Sequence, residues 1–243
     1  MHLLVTRPEA DAAELKARLE SMGHRVSLAP LLGVELDAAP AIDLGAVQAL
    51  IATSRNGLRA LAGSPVLESA ARLPILVVGP ATAALARKLG FARVMEGPGS
   101  APGLVALATA ELEPRNGTLL HLAGDRQAFD LKCALERHGF EVRQPVLYRT
   151  RPAGSLTPEV ADAIRSGSLD GVILMSPRTA EIFATLVAGA GLVEEARGLL
   201  LLCLSTSVAN RLAALSPIQV RIAARPNANE MLALVTAMAA KSD

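Results

Sequence analysis

The sequence predicts an α/β protein made of two similar domains, each built on a parallel sheet, with a cleft between them. Three observations predict this. Leu3–Pro30 recurs without a gap as Leu119–Val146, with Leu15, Lys16, Leu19, Glu20, Gly23 and Val26 returning as Leu131, Lys132, Leu135, Glu136, Gly139 and Val142. The echo continues with small shifts: Leu50–Ser54 answers Val172–Ser176, Ile75–Gly79 answers Leu201–Ser205, and Pro98–Leu107 answers Pro226–Val235. Short apolar runs also alternate with amphipathic stretches along the whole chain, the pattern of a parallel sheet flanked by helices. The period is far longer than the roughly 20–50 residues of a solenoid unit, so the repeat is a whole α/β half.

The strands expected in order are His2–Thr6, Arg25–Ala29, Ala49–Thr53, Ile75–Gly79, Thr118–Leu122, Glu141–Pro145, Gly171–Met175, Leu200–Leu204 and Gln219–Ala223. Unbroken apolar runs such as Ile75–Val78 and Leu199–Leu204 suit strands covered on both faces. Glu9–Met22 places Ala12, Leu15, Leu19 and Met22 near helical spacing and stops at Gly23, a C-terminal cap. Phe129–His138 before Gly139 repeats the pattern. Pro30–Ala41 and Pro145–Leu156 break the rhythm at equivalent places in the two repeats and read as linkers. Each holds extended-looking residues, Leu31–Glu35 and Val146–Thr150, that can pair as a short two-stranded ladder.

Composition excludes several function classes. Apolar residues make up 51% and charged residues 19%, enough for ordinary cores and too apolar for disorder. A net charge of +1 argues against a broad nucleic-acid or membrane-surface footprint. Arg dominates the basic residues, with Lys only at Lys16, Lys88, Lys132 and Lys241. Base composition accounts for part of that bias; forked recognition of carboxylates or phosphates is the other reading. Cys133 and Cys203 lie far apart without a C-x-x-C, and both read as buried small hydrophobes in a reducing compartment. Met1–Val5 enters a strand directly, without a signal peptide's long apolar region, and no apolar run approaches a membrane span. A cytoplasmic location is therefore the expectation.

Candidate chemistry collects where strands end. Thr6-Arg7-Pro8-Glu9, Thr53-Ser54-Arg55-Asn56-Gly57, Gly79-Pro80-Ala81-Thr82, Ala123-Gly124-Asp125, Ser176-Pro177-Arg178-Thr179 and Ser205-Thr206-Ser207 each join a small or hydroxylated residue to a helix start. Helix N-capping accounts for any one of them. Together they line the carboxyl edge of a parallel sheet, where ligands bind and free N–H groups receive anions. No P-loop, Rossmann glycine pattern or nucleophile elbow is present, and His2, His24, His121 and His138 show no metal-ligand spacing. Tyr148, the only Tyr in a chain without Trp, stands in the second linker opposite Leu32 of the first. It reads either as packing or as a hydrogen-bond donor and weak acid beside the cleft.

With these residues assembled, the chain resembles the uroporphyrinogen-III synthase family. The resemblance is carried by Leu4–Pro8, Gly23…Pro30, Ala52–Gly57, Val78–Ala83 with Leu89-Gly90-Phe91, Tyr148-Arg149-Thr150, Ser176-Pro177-Arg178 and Pro226-Asn227, in order along the chain. It implies flavodoxin-like halves whose first βα units are exchanged: residues 1–34 with 151–243 as one domain, 37–147 as the other, and linkers near 30–37 and 146–152. It implies a cofactor-independent hydro-lyase that closes hydroxymethylbilane to uroporphyrinogen III, inverting the terminal pyrrole ring and losing water. Tyr148 is the implied catalytic residue, and Thr6, Arg7, Ser54, Arg55, Gly79, Thr82, Ser176 and Ser205 the implied substrate-binding positions. In the second repeat Ser205 and Val208 stand where the family pattern has Gly and Thr. A monomer is expected, binding neither metal, nucleic acid nor membrane, and open to substrate hand-over from the preceding enzyme of the pathway. The alternative is a two-domain binding module for a small polyanion, a sensor or regulator.

Overall fold

The computed structural model describes residues 1–37 and 42–239. Residues 38–41 of the first expected linker lie outside the described residues. The chain divides into two compact units, Met1–Gly33 with Arg151–Asp243, and Val34–Thr150.

Chain order opens with β1 (His2–Val5), α1 (Glu9–Ser21), β2 (Arg25–Leu28) and β3 (Leu32–Leu36). Next come β4 (Val47–Ala52), α2 (Arg55–Ala62), α3 (Leu67–Ala70), β5 (Ile75–Val77), α4 (Pro80–Lys88), β6 (Val94–Glu96) and α5 (Ala101–Glu111). They are followed by β7 (Thr118–His121), β8 (Ala123–Gly124), α6 (Leu131–Glu136), β9 (Val142–Arg143) and β10 (Val146–Pro152). The rest is α7 (Pro158–Arg165), β11 (Gly171–Leu174), α8 (Pro177–Gly189), α9 (Val193–Ala196), β12 (Leu200–Cys203), α10 (Thr206–Ala209), β13 (Gln219–Ile222) and α11 (Ala228–Ala239).

The first unit holds a five-stranded sheet, order β13-β12-β11-β1-β2, with every pairing parallel. Register aligns Leu4 with Val172 and Val172 with Leu201. Successive residues go to opposite faces, and both faces are covered. Leu4, Val172, Leu174, Leu201 and Cys203 join a cluster with Val160, Ile182, Phe183 and Val187, whereas Leu3, Val5, Ile173 and Leu202 join one with Leu15, Leu19, Met231 and Val235. That double coverage is why these strands are apolar throughout rather than alternating.

The second unit holds a five-stranded parallel sheet, order β6-β5-β4-β7-β9. Here β7-α6-β9 has the place in the sheet that β1-α1-β2 has in the first unit. Leu50, Ala52, Ile75, Val77 and Leu120 pack with Leu58, Leu61, Ala83 and Ala86 on one face. Ala49, Ile51, Leu76 and Leu119 pack with Leu104, Ala108, Leu131 and Leu135 on the other. A three-stranded sheet, order β3-β10-β8, takes in the two segments where the chain passes between units. In it β10 runs parallel to β8, with Val146 opposite Ala123 and Tyr148 opposite Gly124.

Several expected elements are shorter. Most strands end a residue or two before the expected carboxyl end, and β4 begins two residues earlier than expected, at Val47. Glu141–Pro145 narrows to Val142–Arg143: Pro145 has no N–H to donate, and the Lys132 ammonium takes the Val142 carbonyl at 2.7 Å. Phe129–His138 narrows to α6, which starts where the Asp130 carboxylate accepts the Cys133 N–H at 3.0 Å. After α1 and α6, Gly23 and Gly139 take φ of +84° and +85°, the left-handed step that a glycine makes without a Cβ penalty. Cys203 is fully buried, which pushes its thiol up to about 12. Cys133 is only half-buried, a correction to its expected place in the core: on α6 it faces away from the inward-pointing Leu131 and Leu135.

Candidate active site

Within the first unit the order of strands reverses direction between β1 and β11, and within the second between β7 and β4. Such switch points, at the carboxyl edge of the sheet, are where open α/β sheets bind ligands. The expected binding residues distribute over these two edges.

In the first unit, Thr6 is completely buried and its hydroxyl donates to the Ile173 carbonyl at 3.0 Å, tying the end of β1 to β11. Its side chain thus serves the sheet. Arg7 lies 3.5 Å from Asp11 one turn into α1, whose N-cap is Pro8. Ser176 caps α8, accepting the Thr179 N–H at 3.1 Å and sharing a 2.5 Å hydroxyl contact with Thr179. Pro177 at the first position has no N–H to offer, and Arg178 follows it in the first turn. Ser205 makes no side-chain cap; its hydroxyl pairs with that of Ser207 at 2.9 Å, and Val208 beside it is buried. Ser176→Ala should lower stability by about 0.5–2 kcal/mol, the worth of one N-cap. Urea unfolding of the purified variant measures this.

In the second unit, Ser54 caps α2, accepting the Asn56 N–H at 3.2 Å, and Arg55 is the first residue of that helix. Gly79 caps α4 with its backbone alone: its carbonyl accepts from Thr82 and Ala83 at 3.1 and 3.0 Å, while Pro80 opens the helix. Thr82 is buried in the first turn. Asp125, expected as a helix cap after β7, caps nothing. Its carboxylate instead accepts the Thr150 N–H at 3.0 Å and the Thr150 hydroxyl at 3.4 Å.

Tyr148 takes up the packing that was one of its two readings in the sequence. It is 8% exposed and belongs to the apolar cluster of the second unit, its ring lying across Gly124. A hydrogen bond joins the phenol to the Ser54 hydroxyl, which brings the phenol to the carboxyl edge of β4. Burial raises its pKa above the ordinary 10; the Ser54 hydrogen bond opposes this and the Asp125 charge adds to it. The phenol is therefore a weaker acid than a free tyrosine and a neutral hydrogen-bond donor at physiological pH.

Sequence reading missed a histidine network at the same edge. His121, 1% exposed, has Nδ1 2.9 Å from Gln144 Oε1 and Nε2 3.2 Å from the Thr53 hydroxyl. Gln144 can only accept through Oε1, so Nδ1 carries the proton and Nε2 accepts from Thr53. The signal available was His121 at the end of an apolar strand, which reads equally as a core residue. Burial lowers its pKa below the usual 6.5. Its unfolded form thus binds a proton first as pH falls. The stability it leaves intact above about pH 6.5 is lost progressively as pH drops through the lower folded pKa. Thermal midpoints measured from about pH 7.5 to about pH 5 should fall more steeply in the wild type than in His121→Gln. Among the described residues, no three His, Cys, Asp or Glu side chains cluster as a metal site, and no helix is long and apolar enough to cross a membrane.

Comparison with known proteins bears on the whole chain. The family model described as uroporphyrinogen-III synthase HemD matches residues 13–233. No curated protein matches by sequence. Among solved structures, uroporphyrinogen-III synthetase from Helicobacter pylori 26695 is 18% identical, with 98% of this chain and 99% of that one covered at a TM-score of 0.67. A mutant uroporphyrinogen III synthase from the extremely thermophilic bacterium Thermus thermophilus is 18% identical, with 98% of each chain covered at 0.56. At that identity the two structures speak for the fold alone, parallel-sheet α/β. The family match spans nearly all of the chain, including the second unit's switch point and the single tyrosine, and on that ground the chain belongs to the uroporphyrinogen-III synthase family.

Proposed function

We propose that this protein is a hydro-lyase that converts hydroxymethylbilane to uroporphyrinogen III without a cofactor, inverting the terminal ring as the macrocycle closes. Family membership supports the reaction. The observation that carries the residue-level reading is the seat of the lone Tyr148, with its phenol at the carboxyl edge of β4 against Ser54.

In the proposed reaction the hydroxymethyl C–O bond breaks with its electron pair on oxygen. That oxygen gains a proton and leaves as water, and the remaining carbocation equivalent is attacked by the substituted position of the terminal pyrrole. The spiro centre so formed breaks its original bond to the bridging methylene, which re-closes on the free α-position of the same ring as a proton is lost. A neutral phenol stabilises the departing oxygen by donating a hydrogen bond, where charge develops in the transition state. The rest is positioning. The bilane closes by itself to the uninverted isomer, so the enzyme's advantage lies in holding one folded conformer. Its acetate and propionate groups are carboxylates, and each unit's sheet edge offers helix N-termini, with Arg7 and Arg178 in one and Arg55 in the other. In this reading Thr82, Ser205 and Gly79 contribute mainly through nearby backbone N–H groups. Residues 1–34 with 151–243 and residues 37–147 are taken as the functional domains, which the division into compact units supports.

The test is incubation of the purified protein with hydroxymethylbilane, oxidation of the products and chromatographic separation of the uroporphyrin isomers. Predominant type III isomer is the expected result. Type I alone, at the rate of the enzyme-free control, would reject the activity and favour a binding role.

A further inference from the structure

Tyr148 is held from two sides by residues that carry no sign of such a task in the sequence. Register places it opposite Gly124. A Cβ built on Gly124 would lie 2.5 Å from Cε2, 2.6 Å from Cζ and 3.0 Å from the hydroxyl oxygen of Tyr148, inside the space the ring fills. The ring can lie where it does only because residue 124 has no side chain. The neighbour fixes the backbone. The Asp125 N–H donates to the Tyr148 carbonyl at 3.0 Å, and the Asp125 carboxylate accepts the Thr150 N–H at 3.0 Å. Asp125 thereby grips β10 on both sides of Arg149. With the backbone clamped and the ring laid on Gly124, the phenol has one direction left, toward Ser54. The Ser54 hydroxyl oxygen is itself oriented by the Asn56 N–H at 3.2 Å.

We propose that Gly124 and Asp125 are positioning residues that aim the Tyr148 phenol for ring closure, an inference resting on the reading of Tyr148 given above. Neither needs to touch substrate; both act through the tyrosine. A purely structural role would weaken the sheet without redirecting the product.

The chain has one Tyr and no Trp, so the near-ultraviolet absorbance of tyrosinate reports this phenol alone. In the folded wild type it should titrate above its ordinary 10. In Gly124→Ala and in Asp125→Ala the midpoint should move down toward 10, turnover should fall roughly tenfold, and the uninverted isomer should rise toward its share in Tyr148→Phe. Adding Tyr148→Phe to Gly124→Ala should change turnover and isomer ratio no further, the mark of two groups acting as one. Asp125→Asn keeps an oxygen for the Thr150 N–H and should restore the wild-type isomer ratio. Should Gly124→Ala not fold, Asp125→Ala and Asp125→Asn carry the test. An unchanged titration and isomer ratio in the folded Gly124→Ala and Asp125→Ala variants, beside a defective Tyr148→Phe, overturns this proposal alone. So do independent, multiplying losses in the double variant. A wild-type isomer ratio in Tyr148→Phe overturns the reading of Tyr148 and this proposal with it.

Discussion

Tyr148→Phe should fold normally, lose roughly tenfold to a hundredfold in turnover and release more of the uninverted isomer. The ring is 8% exposed and packs in the cluster with Leu122 and Leu147, so its apolar contribution survives the substitution. Only the hydroxyl goes, and with it the donor proposed for the departing oxygen. Preorganised donors of this kind contribute about 2.7–4 kcal/mol, and a water taking the vacated place reduces the loss. Because closure without the enzyme gives the uninverted product, a slower catalysed path shows directly in the isomer ratio. KM should change little, since the role proposed for the phenol is in the transition state rather than on the carboxylates. Equal rate and isomer ratio in Tyr148→Phe, with loss only in Tyr148→Ala, would make this side chain a packing residue.

Phe183→Ala should have the largest effect on stability, a loss of about 3–5 kcal/mol. Phe183 is the largest fully buried side chain among the described residues. It lies on α8 in the cluster that joins β1, β11 and β12 to the helices on one face of the first unit's sheet. Its truncation leaves a cavity walled by strand residues that cannot relax without breaking the ladder, so the cost exceeds the transfer of the ring alone. That is a large part of the net stability of an ordinary domain. Urea unfolding followed by far-ultraviolet circular dichroism measures it, with Phe183→Leu expected to lose markedly less. A midpoint indistinguishable from wild type would mean that this face repacks freely.

The central strands were legible because their environment is uniform. Residues covered on both faces must be apolar at every position, and β4, β5, β7, β11 and β12 read as unbroken runs whatever lies beside them. The helix stops at Gly23 and Gly139 were legible for a local reason: only glycine takes that backbone step cheaply. Of the edge strands, β2, β9 and β13 were expected from the sequence and β6 was not. Val94–Glu96 is a three-residue, half-exposed strand that exists because β5 offers it a partner.

The same division runs through the site. Ser54 and Ser176 could be placed at helix starts because capping is a short-range competition for backbone N–H groups, settled within three residues. Thr6 looked identical in sequence, yet its hydroxyl donates to Ile173, far along the chain, and that choice was made by β1 pairing with β11. Asp125 looked like a cap and became a clamp for the same kind of reason. Its partner Thr150 is brought to it by the pairing of β8 with β10. The sequence by itself determined the repeat, the parallel α/β architecture and a lone tyrosine in the second linker, since these rest on apolar periodicity and residue type. The tertiary structure alone decided that Tyr148 lies buried across Gly124 with its phenol on Ser54, because a side chain's direction and acidity depend on what distant strands leave open around it.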